Sequence, residues 1–285
     1  MAYKDLIIGC FTNYNWEKIQ YWVNSIDRSG FSGQKAMIVY NSEASTVSKL
    51  VERNYNIYAF QHDPKEQLFF YPQSFSIVVQ RFYNLWHYLN RLPDINEYRY
   101  IITTDVKDVI FQSNPSTWLE NNLGDKKICV SSESLIYKHE PWGDDNMRRS
   151  FPGQYEFMST KNIWNCGVLS GTAAYMKDLF LNIFMCCQGN ATHNPDQSAL
   201  NILLNLEPYK SITKFVNSEQ GWAAQLGTTA DPSQIHRFKP YLLEPEPRIL
   251  SNGMVTTNSG IPYTVVHQYD RVPGWKEIIE DKFKD

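Results

Sequence analysis

Several classes of protein are excluded by what this 285-residue sequence lacks. Its five cysteines are an odd number without a Cys-x-x-Cys pair, which argues against a zinc site or a disulfide framework and indicates reduced thiols. No stretch approaches the roughly 20 apolar residues of a membrane span, and the first apolar run is too short for a secretory signal. A net charge of -3, with Lys and Arg scattered along the chain, argues against a nucleic-acid partner. We therefore expect a soluble, cytoplasmic protein.

Familiar phosphate-binding and catalytic motifs are missing as well. The sequence contains no Gly-x-x-x-x-Gly-Lys loop, no Gly-x-Gly-x-x-Gly turn, no Gly-x-Ser-x-Gly elbow and no His-Glu-x-x-His pair. If the protein binds a nucleotide, it must hold it in another way. A metal ion on the diphosphate is the obvious alternative.

Strand and helix signals alternate along the first half of the chain. Apolar runs predict strands at residues 5–11, 35–40, 57–60 and 100–104, and an apolar stripe at helical spacing predicts a helix over residues 75–89. Such alternation indicates an α/β fold with a largely parallel sheet. Ligands of such sheets bind in a crevice at the carboxyl ends of the strands.

The second half of the chain is less regular. Strands are predicted at residues 127–131 and 165–171, whereas residues 132–163 are polar, charged and aromatic and predict a long loop. Loops of this length in compact proteins are often functional lids. No linker divides the sequence, so we expect one domain over residues 1–285.

Two acidic residues follow the apolar strand that ends at Thr104. Asp105 and Asp108 offer hard oxygen ligands, and His267, which follows the apolar residues 264–266, offers a third ligand. Two carboxylates and an imidazole, with positions left for phosphate oxygens, would suit Mn²⁺ or Mg²⁺. The acids alone could equally cap a helix or belong to a turn, and the histidine alone could be structural.

Together these residues are part of a wider pattern, in which the chain resembles metal-dependent, nucleotide-sugar glycosyltransferases of the GT-A fold. The matching landmarks occur in that fold's order along nearly the whole chain: Phe11-Thr12-Asn13-Tyr14 after the first strand, Arg81 on the helix before the acidic strand, Thr104-Asp105-Val106-Lys107-Asp108 in the place of the Asp-x-Asp motif, Asn165-Cys166-Gly167 like the Asn-x-Gly segment, Asp196-Gln197 with Leu200-Asn201, and the late His267.

The resemblance implies a Rossmann-like, three-layer α/β/α sandwich with a mostly parallel central sheet. It also implies a half that binds the nucleotide sugar, at about residues 1–125, and a half that binds the acceptor, at about residues 126–285. A UDP-sugar would be the donor and a carbohydrate the acceptor, with Mn²⁺ or Mg²⁺ on the diphosphate. The sequence is most similar to glycosyltransferases of algae and their large DNA viruses, including xylosyltransferases of the chlorovirus type, which implies UDP-xylose, a fucose acceptor on a glycan and the host cytoplasm.

The family's site residues carry over to named positions. Phe11, Thr12, Asn13 and Tyr14 would seat the nucleobase and ribose. The metal site would consist of Asp105, Asp108 and His267, and the other donor-binding residues would be Arg81, Thr104, Asp105, Asn165, Gly167, Gln197 and Arg271.

Two departures from the family pattern leave roles open. The acidic motif is Asp-x-x-Asp, one residue longer than usual, so the division of labour between Asp105 and Asp108 is not fixed. The sequence Gln268-Tyr269-Asp270-Arg271 replaces the Gly/Lys diphosphate clamp of some relatives, and Arg271 could take that role because a guanidinium binds phosphate well.

Asp196 is the candidate catalytic carboxylate near the anomeric carbon. It would act as a general base in an inverting enzyme and would stabilise positive charge on the sugar in a retaining one. The sequence leaves rival bases and acceptor platforms open. The rival bases are Glu133, Glu140, Asp144 and Asp145, and the aromatic candidates for stacking on the acceptor are Trp142, Trp164, Trp222 and Trp275. A non-catalytic carbohydrate-binding protein and a metal-dependent phosphohydrolase are the alternative functions.

Overall fold

A computed structural model describes residues 4–60, 76–190, 192 and 194–285 of the chain. The strands are β1 Lys4–Thr12, β2 Gln34–Tyr40, β3 Tyr55–Phe60, β4 Tyr98–Thr104, β5 Val109–Phe111, β6 Ile128–Ile136, β7 Asn162–Thr172, β8 Thr213–Val216, β9 Ala223–Gln225, β10 Arg248–Ile249, β11 Val255–Thr256 and β12 Val265–His267. The α-helices are α1 Trp16–Arg28, α2 Ala44–Glu52, α3 Ile77–Asn90, α4 Pro115–Asn122, α5 Pro141–Ser150, α6 Tyr155–Met158, α7 Ala173–Cys186, α8 Asp196–Leu204, α9 Tyr209–Ile212, α10 Leu226–Thr229, α11 Ile235–Phe238 and α12 Pro273–Phe283.

A seven-stranded sheet in the order β3-β2-β1-β4-β7-β6-β8 forms the centre of the fold. All of its neighbouring strands are parallel except where β7 pairs with β4 and β6. Successive side chains of a strand point to opposite faces of a sheet, and β1 divides accordingly. Leu6 and Ile8 pack with α3, α7 and α8, whereas Ile7 packs with α1, α2 and α4. The predicted α/β/α sandwich with a mostly parallel sheet is confirmed.

A second, three-stranded sheet positions the late histidine. β12 lies between β5 and β9, antiparallel to β5 and parallel to β9. The register places His267 opposite Val109 on one side and Gln225 on the other. Because Val109 directly follows Asp108, this pairing brings residues 159 positions apart in the chain into one site.

The prediction of a long loop at residues 132–163 is wrong. β6 continues to Ile136, α5 and α6 follow, and β7 begins at Asn162. A small apolar cluster of Tyr137, Met147, Met158 and Ile163 anchors this segment, and each of these side chains is fully buried. The apolar positions are too widely spaced among charged residues to predict a helix, but they meet in the folded chain.

Several smaller predictions can be compared with the structure. The five cysteines are all free, and three of them are buried. The predicted helix over residues 75–89 is confirmed as α3 from Ile77, whereas Phe75 lies outside the described residues. In the described ranges, every helix is too short or too polar to pass through a bilayer.

Candidate active site

The three predicted metal ligands meet at the carboxyl end of β4. Asp105 directly follows β4, Asp108 precedes β5, and His267 ends β12. The Nε2 atom of His267 lies 3.5 Å from Oδ2 of Asp105 and 3.7 Å from Oδ2 of Asp108. One ligand atom from each of the three residues lies within 4.8 Å of the other two. This arrangement is a possible Asp–Asp–His metal site.

Gln225 fixes the orientation of the histidine ring. Oε1 of Gln225 lies 2.7 Å from Nδ1 of His267, and its Nε2 donates to Oγ of Ser131 at 2.8 Å. Because the amide nitrogen of Gln225 donates to Ser131, its amide oxygen accepts a hydrogen bond from Nδ1–H of His267. Nε2 is then directed at the two carboxylates, as in metal sites whose histidines are oriented by an outer hydrogen bond.

Gly167 leaves room for the ligands. A Cβ atom at this position would lie 2.6 Å from Cε1 of His267 and 2.8 Å from Oδ2 of Asp105, closer than real Cβ contacts come. The carbonyl oxygen of Gly167 also accepts a hydrogen bond from the backbone N–H of Asp105 at 2.8 Å. Any larger residue would therefore displace Asp105 and His267, two of the three residues of the possible metal site. The donor atoms and the space around them fit a divalent cation.

The electrostatics of Asp105, Asp108 and His267 also favour a cation. Burial opposes ionisation of Asp105, but the charges of Arg81 and His267 outweigh burial and hold the pKa of that carboxyl below its usual value. Burial raises the pKa of Asp108, and the like charge of Asp105 adds to this effect. Burial alone would lower the pKa of His267, but the attraction of Asp108 and Asp105 raises it. A divalent cation between the carboxylates would relieve their repulsion.

Arg81 connects Asp105 of the possible metal site to Asp196, the candidate catalytic carboxylate. Its guanidinium forms ion pairs with Asp105 and with Asp196, the latter at 3.3 Å, and donates to the carbonyl oxygen of Cys166 at 3.3 Å. Burial opposes the charge on Arg81, but the two carboxylates outweigh burial and raise its pKa. Burial raises the pKa of Asp196, the first residue of α8, and Arg81 opposes this effect.

A cavity of about 720 Å³ lies beside these residues. This volume is in the range typical of small-molecule and cofactor sites. The predicted site residues among its lining are Arg81, Asp105, Asn165, Gly167, Asp196, Gln197, His267 and Arg271. Residues from distant parts of the sequence therefore converge on one cavity.

Residues 165–167 of β7 are held in place by two of the predicted donor-binding side chains. Oδ1 of Asn165 accepts from the backbone N–H of Gly167 at 2.7 Å, while its Nδ2 donates to Oε1 of Glu133 at 2.8 Å. Oε1 of Gln197 accepts from the backbone N–H of Cys166 at 3.3 Å. These bonds fix the cavity floor next to the metal ligands.

The remaining predicted donor-binding residues lie outside the cavity lining. Thr104 is buried, and its Oγ1 accepts from Nε1 of Trp22 at 2.8 Å. Phe11, at the carboxyl end of β1, is also buried and stacks on Tyr14 with ring centroids 6.1 Å apart. Thr12 is half-buried and Asn13 is exposed.

Tyr14 nevertheless faces the acidic pair. Burial raises the pKa of its hydroxyl, Lys107 opposes this, and the negative charges of Asp108 and Asp105 add to it. Since β1 and β4 are neighbours in the sheet, the segment after β1 lies beside the metal ligands.

The rival bases differ in their partners and in whether they line the cavity. Both oxygens of Glu140 accept backbone N–H groups at the start of α5, from Trp142 at 3.2 Å and Gly143 at 2.5 Å. Asp144 pairs with Arg148, and the exposed Asp145 with Arg149, both outside the cavity lining. Glu133, in contrast, lines the cavity.

The four tryptophans differ in burial and in whether they line the cavity. Trp142 is 52% exposed and lines the cavity. Trp222 is fully buried and Trp164 is 7% exposed, and both pack in the main hydrophobic clusters. Trp275 packs against the cluster around β12. Of these four, only Trp142 presents a ring to the cavity.

Other residues of the site were not predicted from the sequence. Gln225 orients the ring of His267, and Gln268, with a left-handed φ of 62°, accepts through Oε1 from the backbone N–H of Gly227 at 3.0 Å. Asp231 and Arg237 line the cavity. None belongs to a recognisable motif, and the only available signal was the position of Gln268 directly after His267.

Two solved structures with similar folds are glycosyltransferases. The apo structure of WbbM, a bifunctional glycosyltransferase, has a TM-score of 0.60 at 11% identity, covering 100% of this chain and 50% of that one. GlyE of Streptococcus pneumoniae TIGR4 has a TM-score of 0.54 at 12% identity, covering 97% of this chain and 60% of that one. No family model and no curated protein matches the sequence. The chain, which spans 50 to 60% of the length of these two proteins, has the fold of a glycosyltransferase.

Proposed function

We propose that this protein is a glycosyltransferase that holds a UDP-sugar through a divalent metal ion and transfers the sugar to a carbohydrate. The observation that carries the proposal is the Asp105–Asp108–His267 cluster at the carboxyl end of β4, beside a cavity that contains further buried carboxylates. The similar solved structures support the general class of reaction. The resemblance to algal and viral enzymes suggests UDP-xylose as the donor and fucose on a glycan as the acceptor.

The metal ligands and one arginine would hold the diphosphate. Asp105, Asp108 and His267 would bind Mn²⁺ or Mg²⁺, which when bound supplies Lewis-acid stabilisation of the departing nucleoside diphosphate. Arg271 lines the cavity and has no ion-pair partner in the described part of the chain. Its guanidinium is therefore available for phosphate oxygens.

The rest of the donor would contact two groups of residues. Tyr14 and its neighbours Phe11, Thr12 and Asn13 would hold the nucleobase and ribose, beside the metal ligands. Asn165, Gly167 and Gln197 would lie under the sugar, near the buried Thr104. Asp196, held by Arg81, would lie beside the anomeric carbon, where its negative charge stabilises the positive charge that develops on the sugar.

The alternative functions account for fewer of these features. A two-metal phosphohydrolase requires more ligands than one cluster supplies. Within the described ranges, Asp105, Asp108 and His267 form one such group. A non-catalytic carbohydrate-binding protein would require neither the metal ligands nor the buried Asp196. These contrasts favour the transferase.

Nucleotide binding tests the proposal. UDP should raise the melting temperature in the presence of Mn²⁺ but not in its absence, because a ligand that binds only the folded state stabilises it. Asp108→Asn should abolish the metal-dependent shift. The matched control, Asp145→Asn, removes an exposed carboxylate outside the cavity and should preserve it.

The donor and acceptor are then identified by mass spectrometry of the transfer product, starting with UDP-xylose and a fucoside. GDP and CMP serve as competing nucleotides in the thermal-shift screen. The proposed function is refuted if UDP, GDP and CMP with Mn²⁺ all leave the melting temperature unchanged.

A further inference from the structure

We propose that Glu133 is the catalytic residue that accepts the proton of the acceptor hydroxyl, an assignment that rests on the proposed glycosyltransferase function. Asp196 would then stabilise charge on the donor sugar and would not act as the base. Four observations support this division: the backbone at Glu133, its hydrogen bonds, the competing carboxylates and its surroundings.

The backbone around Glu133 departs from a regular strand. The pairing of β6 with β7 shifts register between Val130 and Ser132 and again between Ser132 and Ile136. Ser134 has a φ of 59°, a left-handed conformation that is uncommon for residues other than glycine. Such irregularities frequently occur next to active sites, where they redirect a side chain. Glu133 lies within this interruption and lines the cavity.

One carboxylate oxygen of Glu133 is fixed and the other is available. Oε1 accepts from Nδ2 of Asn165 at 2.8 Å. The other oxygen, Oε2, has no hydrogen-bond partner among the described residues, and Glu133 lines the cavity. Asn165 thus orients the carboxylate, and Oε2 can receive a hydrogen bond from a ligand in the cavity.

The competing cavity carboxylates are engaged by the protein. Both oxygens of Glu140 cap α5, and Asp196 is paired with Arg81, which also binds Asp105. Asp105 is a metal ligand in the proposed function. Asp231 also lines the cavity, and its Oδ1 accepts from the backbone N–H of Ser233 at 2.8 Å and from the Ser233 hydroxyl at 2.7 Å. Glu133 accepts a single hydrogen bond from the described protein and neither caps a helix, nor pairs with an arginine, nor belongs to the proposed metal site.

The surroundings of Glu133 suit a base that works near neutral pH. Burial raises the pKa of Glu133 to about 7, and the like charge of Glu140 adds to this increase. The hydrogen bond from Asn165 and the charges of His267 and Arg271 oppose it. Burial raises the pKa of the nearby Tyr137 hydroxyl, and the negative charge of Glu133 adds to this effect. A general base is most effective when its pKa is close to the working pH.

The remaining cavity wall is suited to an acceptor. Trp142 near the start of α5, Asp231 after α10 and Arg237 in α11 line the cavity from elements that carry no metal ligand. An aromatic ring with nearby hydrogen-bonding groups matches the chemistry of a sugar, which has an apolar face and a polar rim. Glu133 shares this cavity with both the acceptor-type residues and the residues proposed for the donor.

The proposed step is a direct displacement at the anomeric carbon. The acceptor oxygen forms a bond to the anomeric carbon while its proton moves to Oε2 of Glu133. The bond between the anomeric carbon and the phosphate oxygen breaks, and its electron pair leaves with the nucleoside diphosphate. Attack from the side opposite the leaving group inverts the anomeric configuration.

A glutamine variant of Glu133 tests this assignment. Glu133→Gln keeps the shape and the hydrogen-bonding capacity but cannot accept the proton, so kcat for transfer should fall by about 100-fold or more. Its Mn²⁺-dependent affinity for UDP should remain that of the wild type, and its melting temperature should not fall below the wild-type value. The acidic limb of the wild-type pH profile of kcat/KM should have a midpoint near 7 and should disappear in the residual activity of the variant.

Glu244→Gln is the matched control. Glu244 accepts a hydrogen bond from Oγ of Ser134 and so contacts the same irregular segment, but it lies outside the cavity lining. This variant should keep both the rate and the pH profile. A purely structural role of the segment would instead lower the activity of both variants.

The anomeric configuration of the product, determined by NMR, requires no variant and should be inverted relative to the donor. A retained configuration, or a Glu133→Gln enzyme with wild-type kcat, overturns the assignment of Glu133. If the wild-type protein binds UDP and transfers sugar, the proposed function stands in either case. If it does neither, the proposed function fails before the role of Glu133 is tested.

Discussion

Replacing Gly167 by alanine should weaken metal binding strongly and lower stability moderately. The added methyl group would lie 2.6 Å from Cε1 of His267, at least 0.8 Å short of ordinary contact, which begins at 3.4 Å. The histidine cannot retreat freely because Nδ1 is bound to Gln225 at 2.7 Å. The backbone at Gly167 is also fixed, since its carbonyl oxygen accepts the N–H of Asp105.

The expected magnitudes follow from these distances. Metal sites tolerate ligand displacements of about 0.2 Å, well below the required movement. Disturbing the groups that orient a ligand typically costs about 10–100-fold in metal affinity, and we expect at least this loss for Mn²⁺. Overpacking of a buried position should also lower the free energy of unfolding by about 1–3 kcal/mol.

Isothermal titration with Mn²⁺ and UDP, together with urea denaturation, measures both effects. Gly171→Ala in the same strand is the control, because its Cβ would lie 2.2 Å from the carbonyl oxygen of Lys127, away from the site. This control should lose stability but retain metal affinity. If Gly167→Ala binds Mn²⁺ as tightly as the wild type, the three residues do not form the metal site.

Three further predictions concern neighbouring residues. Gln225→Leu should weaken Mn²⁺ binding by about 10–100-fold, because the histidine loses the partner that orients it; an unchanged Kd by titration would contradict this. Glu133→Gln should stabilise the protein above pH 7. The pKa of Glu133 is raised from 4.5 to about 7, so the folded state binds more protons than the unfolded state between these two pH values. The free energy of unfolding of the wild type therefore falls by about 1–3 kcal/mol as pH rises through this range, and the variant avoids this loss. Urea denaturation at pH 5 and pH 8 measures the difference, and equal pH dependence in both proteins would refute it. Trp142→Ala should raise the KM for the acceptor by about fivefold, given that aromatic contacts contribute on the order of 1 kcal/mol, without changing the affinity for UDP. Equal losses for both substrates would place Trp142 in the donor site.

The segment at residues 132–163 shows where sequence patterns are insufficient. Its charged and aromatic residues favour a loop, yet Glu140 caps α5 and the buried Tyr137, Met147, Met158 and Ile163 anchor the segment. The contacts that decide its structure join residues up to 26 positions apart. Periodicity within a short window does not record such contacts.

The sequence alone determines the alternating strands and helices and the two acids that follow a buried strand, because apolar periodicity and the position of strand ends are local properties. With the resemblance, it also places Asp196 and His267 in the site. The tertiary structure decides how these residues are used. The pairing of β12 with β5 and β9 brings His267 to Asp108 and supplies Gln225, and an irregular strand brings Glu133 into the cavity. These arrangements depend on strand register and on hydrogen bonds between residues far apart in the chain, which form only when the backbone has folded.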